Sequence, residues 1–174
     1  MTREQLEHLI RAAATVADDD DIVVIGSQAI LGEFPDAPAE LLVSVEADLY
    51  PRNRPERWDL IDRTLGELSP FHATFGYYAQ GVDESTATLP AGWADRLVPA
   101  YGPGTRGATG WCLEVHDLII SKLVAGREKD LAFAEVAARH GLARRSTLLE
   151  RLEVTPLGIA QLDLVRGRIE RAFG

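Results

Sequence analysis

Cysteine is almost missing from this chain of 174 residues: Cys112 stands alone, so neither an internal disulfide nor a cysteine-based zinc cluster can form. The four histidines, His8, His72, His116 and His140, show no ligand spacing, which argues against a histidine zinc site as well. No apolar run approaches the ~20 residues needed to span a bilayer. The charged, amphipathic start "MTREQLEHLIRAAATVADDDD" has no continuous apolar stretch of the signal-peptide kind. A cytoplasmic protein with no membrane association is the resulting expectation. Internal repeats and low-complexity segments are also lacking. Positive charge is scarce: 18 Lys and Arg face 27 Asp and Glu, for a net charge of -9. That balance opposes the many cation–phosphate contacts of non-specific nucleic-acid coating. The cations that are present gather in the C-terminal third, among them Lys122, Arg127, Lys129, Arg144, Arg145 and Arg151, a lopsidedness suited to a polyanionic substrate.

What remains is an ordinary globular composition, 46% hydrophobic and 26% charged, long enough to bury a real core. Leu6, Leu9, Ile10, Ala13 and Val16 recur at helical spacing and predict a helix over 3–17. "IVVIG" predicts a short buried strand whose Gly26 allows a sharp exit into a helix over 27–33. In "LLVSVEADLY" the alternation predicts a strand with Val43, Val45, Ala47 and Leu49 toward the core, and Leu42, Ser44, Glu46 and Asp48 on the other face. A helix carrying Trp58, Ile61, Leu65 and Leu68 is expected to end before Pro70. Short strands and loops follow over 71–110, then a strand in "GWCLEV". From His116 the chain reads as helical up to a cap at Gly141, with further helices over 145–153 and 156–172. The fold class is therefore α+β: a sheet core over 1–115 and a helical lobe over 116–174.

Two blocks carry chemistry. Gly26-Ser27 joins a strand to a helix start, where exposed backbone N–H groups favour an anion. Glu46 and Asp48 lie two strand steps apart, roughly 6.6 Å along the backbone, on one face, so both carboxylates can converge on a cation. Each feature alone also has a plainer reading, as an N-capped helix start or a solvated strand face. Their order along the chain, Gly-Ser and then acid-x-acid on the next strand, resembles the signature of polymerase-β-like nucleotidyltransferases. The run "SVEAD" and the block "HDLIISKLVAGREKD" over 116–130 further resemble the AbiEii/MenT-like nucleotidyltransferase toxins. With "LPAGWADRL" between them, the likeness spans residues 22–135.

The resemblance implies a polymerase-β-like sheet lobe, an NTP as substrate and Mg²⁺ as cofactor. Gly26, Ser27 and Ser44 would touch the nucleotide, Glu46 and Asp48 would hold the metal, and Arg127 and Lys129 would hold phosphates. Lys122 matches the active-site lysine and Asp130 the downstream acid. Asp130 lies eight residues past Lys122, about 80° away on an ideal helix, and a kink at Gly126 would bring the two together. A third metal carboxylate is expected at Glu114, with Asp117 as runner-up. One departure matters: Glu46 stands where aspartate is more usual. The implied reaction moves NMP to an acceptor, a tRNA 3′ end in a toxin–antitoxin or phage-defence setting with a cognate antitoxin as partner. Transfer of AMP to a protein hydroxyl is one alternative, and a non-catalytic nucleotide- or partner-binding module on the same fold is another.

Overall fold

Helix α1, Arg3–Ala17, forms where the apolar spacing puts it. Thr2 accepts from the Gln5 amide and the Gln5 side chain returns to the Thr2 amide, a capping box that satisfies two otherwise orphaned donors. Leu6, Leu9, Ile10, Ala13 and Ala17 are wholly buried. The helix ends at Asp18, in the left-handed region with φ 54°. Asp19 then accepts from the backbone amides of Asn53 (2.7 Å), Arg54 and Asp21 (both 3.1 Å), which ties the start of the next strand to a loop more than thirty residues on.

This computed structural model describes residues 1–174. The chain divides into two units, Met1–Thr86 with Leu97–Leu113, and Ala87–Arg96 with Glu114–Gly174. The segment 87–96, which the sequence groups with the sheet, belongs to the helical unit because the Arg96 side chain is bound to Asp117 and the Ala91 amide to the Val154 carbonyl.

The first unit holds a five-stranded sheet in the order β3-β2-β1-β5-β4, made of β1 Asp21–Val24, β2 Glu46–Pro51, β3 Tyr78–Gly81, β4 Val98–Ala100 and β5 Thr109–Cys112. β1 runs antiparallel to β2 and parallel to β5, while β2/β3 is parallel and β4/β5 antiparallel. One face carries Val24, Ala47, Leu49, Gly81 and Gly110. Helix α1 lies on it through Ile10 against Gly110, and α3, Trp58–Leu65, through its backbone against Gly81. By the period of two, Glu46 and Asp48 project from the opposite face.

Three expectations change here. The second strand begins at Glu46, not Leu41, and residues 39–41 form a 3-10 turn. Val43 and Val45 are 80% and 49% exposed instead of core. The Ser44 hydroxyl bonds both the amide and the carbonyl of Glu46, and the N-terminal ammonium of Met1 bonds the Leu42 and Ser44 carbonyls, so these backbone groups are withdrawn from a strand ladder. Helix α3 stops at Leu65, and Leu68 is 90% exposed with φ 64°. Pro70 opens a further helix, α4 Pro70–Phe75, capped by Ser69 and closed by Gly76 at φ 75°. The stretch over 27–33 is a 3-10 turn, Ser27–Ala29, followed by a single helical turn, α2 Ile30–Glu33.

The second unit is helical: α5 Val115–Ala125, α6 Glu128–Arg139, α7 Arg145–Glu153 and α8 Ile159–Phe173. The expected continuous helix from His116 is two helices. Gly126, at φ 67°, ends α5, and a Cβ there would lie 2.2 Å from the Arg168 guanidinium. That guanidinium caps α5 by donating to the Leu123 carbonyl. The left-handed dihedral favours glycine, and a side chain there would also displace the capping guanidinium.

Candidate active site

Gly26 follows β1 as it passes Asp48 on β2. The Ile25 amide donates to the Asp48 carbonyl at 3.1 Å, and a Cβ built on Gly26 would lie 2.0 Å from Asp48 Oδ2 and 2.7 Å from its Cγ. Gly26 has φ -84°, which any residue can adopt, so what demands glycine is the carboxylate pressed against its Cα. The Gly-Ser pair and the second acid are thus one local structure. Because α2 is a single turn, little helix dipole stands behind Ser27. An anion there would meet the Ser27 hydroxyl and the backbone amides of the turn. Gly26→Ala is expected to cost about 1–3 kcal/mol through overpacking. Asp48→Ala in the same chain should restore part of that loss, since it removes the two shortest contacts and leaves only the 3.0 Å approach to the residue-48 Cβ. Equal losses in the two backgrounds, read by urea denaturation, would show that the contact is not what requires glycine.

Sequence reasoning passed over Gln28. It is wholly buried in the turn after Ser27, and neither its amide nitrogen nor its amide oxygen has a hydrogen-bond partner in the protein. Such groups are rare in native interiors. No spacing rule singles out this glutamine; only packing does.

Glu46 is half-buried, and its Oε2 accepts from the Tyr78 hydroxyl at 2.8 Å. Burial raises the Tyr78 pKa, and the bond to Glu46 with the charges of Glu46, Glu67 and Asp48 raises it further, so the phenol remains a donor. Ser44, expected to touch the nucleotide, instead bonds the backbone of Glu46 and shapes the start of β2.

In the helical unit, the break at Gly126 brings Lys122 and Asp130 together: Lys122 Nζ stands 3.3 Å from Asp130 Oδ1 and 4.6 Å from the centre of the Phe133 ring. Arg127 Nε donates to Asp130 Oδ2 at 2.6 Å. Burial alone would raise the Asp130 pKa. The hydrogen bond from Arg127 and the charges of Lys122 and Arg127 outweigh it and hold the carboxyl below its usual range. Lys129, one residue earlier, is exposed on α6 and makes no ion pair.

Glu114 lies beyond β5 as the N-cap of α5. Its carboxylate accepts from the amides of His116 (3.1 Å) and Asp117 (3.3 Å) and pairs with His116 Nδ1, so both oxygens are already engaged. The Arg144 amide donates to His116 Nε2 at 3.0 Å, which makes Nδ1 the protonated nitrogen. Asp117 is wholly buried and takes two bonds from Arg96, at 2.8 and 3.0 Å, with Arg151 at 3.3 Å. Burial pushes its pKa up despite those cations. The third carboxylate expected at Glu114 is therefore a helix cap, and the runner-up Asp117 is the centre of an arginine network. No group of three or more His, Cys, Asp or Glu side chains stands together as a metal cluster. A cation held by Glu46 and Asp48 would complete its shell with other oxygen donors, as Mg²⁺ commonly does with phosphate and water.

The first unit thus combines a mixed sheet with a strand that carries two acids on one face, one of them packed against a Gly-Ser turn. The chain belongs to the DUF6036 family, described as nucleotidyltransferases of unknown function, whose model matches residues 4–139. The matched span ends with α6 and includes both the Gly26–Asp48 contact and the Lys122–Asp130 pair. No curated protein and no solved structure matches the chain. No helix is long and apolar enough to cross a membrane.

Proposed function

We propose that this protein is a Mg²⁺-dependent nucleotidyltransferase of the polymerase-β-like kind, acting on an NTP in the cytoplasm. The observation that carries the reading is the Gly26–Asp48 contact, which sets the Gly-Ser turn directly against one of the two acids on the β2 face. The donor set fits the cation, two hard carboxylates on one strand face. Mg²⁺ held there would neutralise charge on the phosphates. Ser27 binds the nucleotide from the turn. By the resemblance alone, Arg127 and Lys129 would hold phosphates and Lys122 would neutralise developing charge. Asp130, paired with Lys122 at 3.3 Å, would orient that lysine or help deprotonate the acceptor.

In the reaction an acceptor hydroxyl oxygen forms a bond to the α-phosphorus, the bond from that phosphorus to the bridging oxygen breaks, and pyrophosphate leaves while the hydroxyl proton passes to solvent. Catalysis is chiefly positioning and charge neutralisation. The acceptor we assign is a tRNA 3′ end, in a toxin–antitoxin setting with a cognate antitoxin protein. The resemblance to AbiEii/MenT-like toxins and the cations of the C-terminal third support it, while the net charge of -9 counts against it.

The test is transfer of label from each of four α-labelled NTPs into total tRNA and into total protein, with Mg²⁺ and with EDTA. Label in tRNA that EDTA abolishes is the expected result. Label in protein alone would move the acceptor to a protein hydroxyl, and label in neither from a folded sample would leave a nucleotide-binding module without turnover.

A further inference from the structure

We propose that Tyr78 is the positioning residue for Glu46, fixing that carboxylate so that its other oxygen is presented to the metal; the inference rests on the nucleotidyltransferase reading above. The parallel pairing of β2 with β3 sets Glu46 directly beside Tyr78, on the sheet face that also carries Asp48. The Tyr78 hydroxyl donates to Oε2 at 2.8 Å, and Oε1 accepts no hydrogen bond from the protein.

The tyrosine itself is held. Its side chain is buried, and the His72 ring packs against it with centroids 4.6 Å apart and planes tilted by 47°. His72 lies on α4, which is locked at both ends by the Ser69 cap and by Gly76. The position of the phenol oxygen is thus set by the fold before Glu46 meets it.

This arrangement accounts for the residue that departs from the usual pattern. A glutamate ligand has one more rotatable bond than aspartate and samples more orientations. A donor fixed on one of its oxygens selects a single rotamer and makes the two oxygens unequal. The same bond draws some charge from the carboxylate, which weakens its grip on a cation. Orientation is the larger effect, because removing the hydrogen-bond partner of a metal ligand commonly costs about 10–100-fold in affinity. An aspartate at position 46, one methylene shorter, would fall short of the hydroxyl and owe it nothing.

The test measures binding of Mn²⁺, titrated against the full chain and followed by electron paramagnetic resonance, with melting curves to confirm folding. The proteins are the wild type, Y78F, E46D, the Y78F/E46D double variant and D48A. Y78F should weaken Mn²⁺ binding about tenfold or more. In the E46D background the same change should alter it by less than about twofold, a non-additivity that a merely structural tyrosine would not produce. H72A, which loosens the ring while keeping the hydroxyl, should weaken binding by a few fold and serves if Y78F does not fold. Wild-type affinity in Y78F, with binding lost in D48A, overturns the role of Tyr78 and leaves the enzyme reading standing. Equal losses from Y78F in both backgrounds overturn it too, by showing that the tyrosine acts on the fold. Binding that D48A does not change sinks the metal site itself, and this proposal with it.

Discussion

Asp48→Ala is expected to abolish nucleotidyl transfer, by on the order of 10³ or more, with the protein still folded. A metal acting on phosphoryl oxygens supplies several kcal/mol of charge stabilisation, and each 1.36 kcal/mol is tenfold in rate. Asp48 is one of two carboxylates on the strand face that would hold it, and the one against which Gly26 is packed. The stability change should be small, on the order of 1 kcal/mol, because Asp48 is only half-buried. Asp48→Asn keeps the shape and loses the charge, so it should be as inactive as the alanine variant. The α-labelled transfer assay decides it; an active, folded Asp48→Asn enzyme would remove the carboxylate from the mechanism.

Asp130→Asn should be the most destabilising single change of charge in the helical unit. Asp130 is wholly buried, and its two cations differ in weight. The Arg127 side chain is 64% exposed, so its pair with Asp130 is screened and worth about 0–1 kcal/mol. The Lys122 side chain is 10% exposed, and breaking a buried pair costs about 3–5 kcal/mol. The lysine therefore decides the outcome, and a loss of about 3 kcal/mol should lower Tm by roughly 6–12 °C. The pH dependence follows from the lowered pKa of Asp130. The stabilisation is fully present above the unfolded carboxyl value of about 3.9 and is lost as pH falls through the lower folded value. The gap between wild type and Asp130→Asn should accordingly be full at neutral pH and shrink below about pH 4. A gap that stays constant into acid would mean that the carboxylate charge is not what stabilises the unit.

Much of this was legible without coordinates. Periodicity placed α1 to the residue, and apolar content marked β1. Alternation put Glu46 and Asp48 together on the face away from Ala47 and Leu49. Gly26 was readable as the exit from β1, whereas Gly126, readable only as a kink, ends α5 outright. The failures are equally local in origin. Val43 and Val45 alternate as a strand should, yet backbone groups around them are taken by the Ser44 hydroxyl and the chain's own amino terminus. The Ser69-Pro70 start and Gly76 stop make α4 a helix where the scattered apolar residues of 71–76 suggest only short strands and loops.

The residues of the two blocks, their order and the face they occupy come from backbone geometry, which repeats every two residues in a strand and every 3.6 in a helix whatever else the chain does. Convergence does not repeat. That Asp48 fills the space beside Gly26, that Tyr78 reaches Glu46 from 32 residues away, that Glu114 spends its oxygens on a helix end, and that Lys122 meets Asp130 across a broken helix were decided only by the tertiary structure. Each depends on a pairing register or a loop closure, and these are fixed by burial and packing summed over the whole unit, which no short stretch of sequence contains.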